Sequence, residues 1–112
     1  MNEHRRAPRK TAYMTIPVSN AMTGQSMGRI GNLSIDGMLL VCNHAVADDA
    51  LFQLAFELVD ADGATRVIEI GVHEQWNEPA NVPGQFWVGF QFIDVAAGDL
   101  ATIESWLGDN SD

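Results

Sequence analysis

The strongest constraint on the fold lies mid-chain, where Phe52-Gln53-Leu54-Ala55-Phe56-Glu57-Leu58 alternates large apolar side chains with small or polar ones. That period of two belongs to a strand with one face in a core. Asp60-Ala61-Asp62-Gly63 supplies turn chemistry directly afterwards, and Ile68, Ile70 and Val72 resume an inward set with Glu69 and His73 opposite, so the segment predicts a β-hairpin. Other strands are expected at Ala12 to Val18, Ser26 to Leu33 and Met38 to Asn43, with a bend at Thr23-Gly24. Pro79 to Gly84 reads as a loop, and Phe86, Val88, Phe90 and Phe92 give a last strand its apolar face. After Asp94 the period changes: Leu100, Ile103 and Leu107 follow helical spacing, with Asp94 or Asp99 placed to cap the start and Gly108 to end it. Six strands and one helix predict an all-β fold with a C-terminal helix, a small barrel whose edges are protected by closure.

A chain of 112 residues that is 46% apolar is enough for one domain with a real core and too short for two. No apolar run has the length of a membrane helix and no signal peptide precedes the first strand, so a cytoplasmic protein without membrane insertion is expected. The single cysteine, Cys42, excludes an internal disulfide framework and reads as a small strand or core residue. The net charge of −9 argues against DNA or RNA as a partner. Its distribution is uneven. Four of the six basic residues, Arg5, Arg6, Arg9 and Lys10, fall in the first ten positions with Glu3 as the only acid, whereas Arg29 and Arg66 face the other fourteen acids. Such an arm can be a plain solubilising tail, or it can capture a small phosphodiester while the acidic body repels long polyanions.

Gly31-Asn32-Leu33-Ser34-Ile35-Asp36-Gly37-Met38-Leu39-Leu40 sets two small polar side chains and two glycines against an apolar run. Asn32 offers an amide, and Ser34, two residues on, adds a hydroxyl on the same side of an extended chain. Gly37 either takes a positive φ or leaves room where a Cβ would sit. Taken alone, Asn-x-Ser-x-x-Gly is common turn chemistry between strands. Upstream, Arg5 and Arg9 frame an Arg-x-x-x-Arg within Glu3-His4-Arg5-Arg6-Ala7-Pro8-Arg9-Lys10. The two motifs together, with their spacing, Gly37-Met38-Leu39-Leu40 and Val88-Gly89-Phe90-Gln91-Phe92-Ile93, resemble the signature of the PilZ domain over nearly the whole chain.

That resemblance implies a six-stranded antiparallel PilZ-type β-barrel with a C-terminal helix, acting as a bacterial receptor for the second messenger cyclic di-GMP. It divides the chain into a basic flexible arm at 1–10, a barrel with its helix at 11–108 and a tail at 109–112. Arg5, Arg9, Asn32, Ser34 and Gly37 are implied as ligand contacts, with His4, Arg6 and Asp36 as further candidates. His4 stands where many PilZ domains carry arginine or a hydrophobic residue, which leaves one or two cyclic di-GMP per site open. The chemistry fits the ligand independently of the family: Arg forks bind phosphate oxygens or the O6/N7 edge of guanine and stack on bases. No cofactor or metal is expected, and no enzyme motif is present: His44 and His73 lack metal-ligand spacing, and there is neither a Gly-x-Ser-x-Gly elbow nor a carboxylate pair. Trp76, Trp87 and Trp106 either line an aromatic pocket or supply core and partner surface. The resulting expectation is a receptor that orders its N-terminal arm on binding and signals to an effector protein in motility, biofilm or exopolysaccharide control. The alternative is a PilZ-like interaction adaptor for pilus assembly or motility with an unused nucleotide site.

Overall fold

In the computed structural model, residues 10–11, 15–60 and 62–109 are described. The chain forms β1 (Lys10–Thr11), β2 (Pro17–Asn20), β3 (Ser26–Leu33), β4 (Gly37–Cys42), β5 (Leu51–Val59), β6 (Thr65–Pro79), β7 (Phe86–Val95) and α1 (Ala97–Asp109). Every strand pairing is antiparallel, and the ring β3-β2-β5-β6-β7-β4 closes because β4 also pairs with β3. The two residues of β1 share one edge of β3 with β2, Lys10 opposite Leu33 and Thr11 opposite Asn32. The architecture is therefore a six-stranded antiparallel closed barrel whose first strand comes in two pieces. The expected strand from Ala12 to Val18 overlaps the second piece; residues 12–14 lie outside the described residues.

The alternating segments fold as their period dictates. Leu54, Phe56 and Leu58 on β5 face Ile68, Ile70 and Val72 on β6, all buried, with Leu33, Leu40 and Val88 completing the floor of the core. Each such side chain contributes on the order of 1.5–3 kcal/mol by leaving water. Phe52 and Phe90 meet edge to face at 5.9 Å. The hairpin turn is built by Asp60, whose carboxylate accepts the N–H groups of Asp62 (2.9 Å) and Ala64 (3.0 Å) and the Nε–H of Arg66 (2.8 Å). The Arg66 contact leads these in holding the Asp60 carboxyl below the usual range.

β6 runs further than its period suggests, to Pro79, because the register shift at Glu74/Trp76 leaves Gln75 outside the ladder and resets its phase, whereas the shift at Gly71/Val72 puts its extra residue, Ile93, on β7. The loop expected at Pro79 to Gly84 accordingly starts one residue later. Buried Glu74 stands at the second shift, its carboxylate accepting the Asp49 N–H (2.8 Å) and the Asn77 amide (2.6 Å), which ties the β4–β5 loop to the barrel. Helix α1 packs Ile103 and Leu107 into the core. Neither expected aspartate caps it. Asp94 lies within β7, and Asp99 sits inside the first turn, where its carboxylate accepts the Glu69 N–H on β6 at 3.3 Å. Among the described residues no helix is long and apolar enough to cross a membrane.

Cys42 is buried on β4, and desolvation pushes its thiol from 9.0 up to about 11. A folded-state value above the unfolded one stabilises the protein below pH 9.0, and that contribution is lost as pH rises toward 11. The native protein should ignore a thiol reagent in mildly alkaline buffer and react fully once unfolded in guanidinium. Cys42→Ala should remove on the order of 2 kcal/mol of the alkaline loss of stability measured by denaturant titration.

Candidate functional site

Cross-strand register assembles the site. Asn32 on β3 lies opposite Thr11 on β1 and Leu39 on β4, Leu39 lies opposite Gly89 on β7, and Gly89 lies opposite Trp76 on β6. Directly paired residues share a face, so Asn32, Leu39, Gly89 and Trp76 form one row over the outside of the barrel, with the Thr11 backbone paired at its end. A neighbouring row runs from Gly37 through Gln91 to His73. Gly89 leaves a gap in the first row, and the Trp76 indole fills it from the side. A Cβ at Gly89 would run into Nε1, with Cε2 at 2.7 Å and Cδ1 at 3.0 Å. Three consecutive ring atoms that close to one point mean the indole lies with its face toward the glycine. The result is an open cavity of about 390 Å³ lined by Asn32, Asp36, Gly37, Gln75, Trp76 and Gln91, among others. That size is at the small end of sites that hold organic ligands.

The turn from Leu33 to Gly37 holds the cavity's upper edge. Ser34 is fully buried; its N–H donates to the Gly37 carbonyl (2.9 Å), and its Oγ–H donates to Asp36 Oδ1 (2.7 Å), with the Gly37 carbonyl a second acceptor at 3.2 Å. The Asp36 carbonyl in turn accepts the Phe92 N–H of β7 at 2.9 Å. Gly37 is absent from the glycines with positive φ, and a Cβ on it would stand 2.5 Å from the Phe90 carbonyl oxygen. The glycine is thus required by the close approach of β4 to β7.

Of the residues expected to hold a ligand, Asn32, Asp36 and Gly37 come together on the cavity, while Ser34 sits behind it and fixes the turn. His4, Arg5, Arg6 and Arg9 lie outside the described residues, but the chain enters the described structure at Lys10 and Thr11, against Leu33 and Asn32. Of the three tryptophans that could line an aromatic pocket, Trp76 lines the cavity, while Gln75 and Gln91 had no motif to announce them. Only the register, with its shift at Glu74/Trp76, brings them to the cavity. Among the described residues no three His, Cys, Asp or Glu side chains gather as metal ligands.

Two substitutions separate turn from ligand. Ser34→Ala strands the Asp36 carboxylate without its hydroxyl partner and should lower stability by about 1–3 kcal/mol. Gly37→Ala must push β4 from β7 and should cost at least as much. Denaturant midpoints read both without any ligand; unchanged midpoints would contradict this account of the turn.

Comparison with known proteins places this geometry. The PilZ domain profile matches residues 3–109. No curated protein matches the sequence. Among solved structures, the Bacillus subtilis inhibitor of motility MotI (DgrA) superposes with a TM-score of 0.74 at 16% identity, covering 98% of this chain and 52% of that one. This chain thus spans about half the length of MotI. The PilZ domain of YcgR from Escherichia coli, in a structure with c-di-GMP, superposes with a TM-score of 0.73 at 14% identity, covering 97% of this chain and 92% of that one. With a barrel of this topology and a family match across nearly its whole length, the chain belongs to the PilZ domain family.

Proposed function

We propose that this protein is a cyclic di-GMP receptor in which the ligand bridges the N-terminal arm and the outer wall of the barrel. The observation that carries the reading is the pairing of Thr11 with Asn32, which brings the root of the arginine-bearing arm to the rim of the cavity. Arg9 is one residue from Lys10, and Arg5 lies within about 18 Å of it even for a fully extended chain. The YcgR structure with c-di-GMP supports the choice of ligand, since its PilZ domain has the same fold. MotI, an inhibitor of motility, supports motility control as the output.

The chemistry divides between the two parts. Arg5 and Arg9 supply forked donors for the two phosphodiesters and for guanine O6/N7, with Arg6 and His4 beside them in sequence. Asn32 gives a donor and an acceptor, and the Asp36 carboxylate retains acceptor capacity suited to the N1–H and N2–H edge of guanine. Trp76 is 47% exposed and packs one indole face toward Gly89, so its other face can take a base. Ser34 acts by holding Asp36 in position. The composition of residues 1–9 supports signal relay to an effector protein, because their few apolar side chains offset little of the entropy of ordering until the ligand supplies partners.

Calorimetric titration with cyclic di-GMP, with GTP and GMP as controls, should give saturable heat for cyclic di-GMP alone. Arg5→Ala and Arg9→Ala should each weaken binding ten- to a hundred-fold, from about 1.5–3 kcal/mol per charge-assisted contact. Trp76→Ala should cost about 1–3 kcal/mol, and Trp76→Phe much less. No heat in the wild type would move the reading to an adaptor with an unused site.

NMR relaxation tests the relay. Residues 1–9 should move on the nanosecond scale before ligand and approach the rigidity of the strands at saturation. Equal mobility in both states would place the switch elsewhere.

A further inference from the structure

A second depression lies on the same outer wall, beyond the cavity. Gly71 on β6 sits between Gln53 on β5 and Asp94 on β7, and a Cβ there would already touch the Asp94 Cβ at 3.1 Å and the Gln53 Oε1 at 3.4 Å. The missing side chain leaves a slot. The register shift at Gly71/Val72 leaves Ile93 unpaired in the ladder, and its side chain stands over the slot at 56% exposure. Leu51 at the start of β5 (67%) and Met22 on the β2–β3 turn (80%) complete a groove of about 360 Å³. The turn that carries Met22 is fixed, with the Ala21 N–H donating to the Gln53 carbonyl at 2.7 Å and the Met22 N–H to Asn20 Oδ1 at 2.8 Å. Three large apolar side chains from separate elements converge here on held backbone, with a carboxylate at the edge.

We propose that this groove docks a partner protein through a basic, amphipathic segment that lays an apolar side chain over Gly71 and a Lys or Arg beside Asp94. Charge selects the occupant. Beyond the first ten residues Arg29 and Arg66 stand against fourteen acids, so a cationic segment is attracted over the whole approach, whereas a second copy of this chain brings −9 against −9. Apolar contact supplies the remaining affinity and the register. The chain's own arm has the charge but few apolar side chains, and it enters at Leu33, a strand length of about 25 Å from the Ser26 end of β3 that follows the Met22 turn. The proposal does not depend on the nucleotide reading, since it uses none of the cavity's residues.

The probe is a Lys/Leu amphipathic peptide, with a Glu/Leu peptide of the same apolar pattern as control, titrated into the full chain at moderate salt and followed by amide shifts and calorimetry. The Lys/Leu peptide should bind, shift Met22, Leu51, Gly71, Ile93 and Asp94, and lose at least tenfold in affinity in a Met22→Ser/Leu51→Ser/Ile93→Asn variant. Asp94→Asn should lose several-fold. A Val59→Ser/Val67→Ser variant, which removes two equally exposed apolar side chains elsewhere on β5 and β6, should bind as the wild type does. Equal loss in both variants, or shifts spread evenly over the acidic surface, would overturn the groove. Self-association that depends on concentration and disappears in the triple variant would overturn the choice of occupant in favour of a second copy.

Discussion

The close approach of β4 to β7 is the constraint from which the rest follows. At Gly37 the two backbones are so near that a Cβ would stand 2.5 Å from the Phe90 carbonyl oxygen. With β4 paired to β7 on one side and to β3 on the other, no strand is left with a free edge along this wall, and the sheet becomes a barrel. It also explains the composition of β4. Gly37-Met38-Leu39-Leu40-Val41-Cys42 is a continuous apolar run without alternation, and all but Leu39 are buried. Its inner residues meet the core; on the outside the Trp87 ring reaches across Leu39 toward Gly31, where a Cβ would come within 3.2 Å of it.

How much of this was legible in the sequence depends on phase. β5 and the first half of β6 keep a strict period of two, and their faces were correctly readable, as was β3 to the residue. The far half of β6 was not, because the bulge at Gln75 moves the inward set from one parity to the other and makes Trp76, Asn77 and Glu78 look like the approach to a loop. The same lost phase hid the cavity wall: Trp76 and Gln91 are separated in sequence, and only knowledge of the register joins them to Asn32. The helix stripe at Ile103 and Leu107 was plain, but Asp99 spends its carboxylate on Glu69 across the fold, a contact that no local rule for caps can anticipate. The signature itself was legible as a family pattern and less so as chemistry. Ser34 and Gly37 look like ligand groups in one dimension, and in three dimensions each has a structural duty in the turn.

That double duty bears on how the motif should be understood. A polar side chain that is buried and paired with its neighbour cannot be exchanged freely even if no ligand ever touches it, because the stranded partner carries a desolvation cost. The hydroxyl of Ser34 keeps the Asp36 carboxylate at the cavity rim, and the Asp36 carbonyl keeps the turn against β7 through the Phe92 N–H. Preorganisation of this kind gives a largely acidic barrel a defined rim close to where β1 pairs with β3. Charge thus resides on the arm and shape on the barrel.

The cavity and the apolar groove share more than a wall. Gly37, Gln91, His73 and Leu51 are consecutive partners in one cross-strand row, so the row begins at the cavity and ends at the groove. Along β7, Gln91 lines the first and Ile93 the second, and the residue between them, Phe92, donates its N–H to the carbonyl of Asp36 in the signature turn. Asp36 at the cavity and Ile93 at the groove are therefore joined through the Phe92 N–H and the bulge that follows it. Bulges are the places in a sheet where a strand can change its local twist without unpairing along its whole length, because one residue is already outside the ladder. Of the barrel's bulges, the one at Ile93 stands beside the groove and the one at Gln75 beside the cavity, so both depressions on this wall border a place where the ladder is already interrupted.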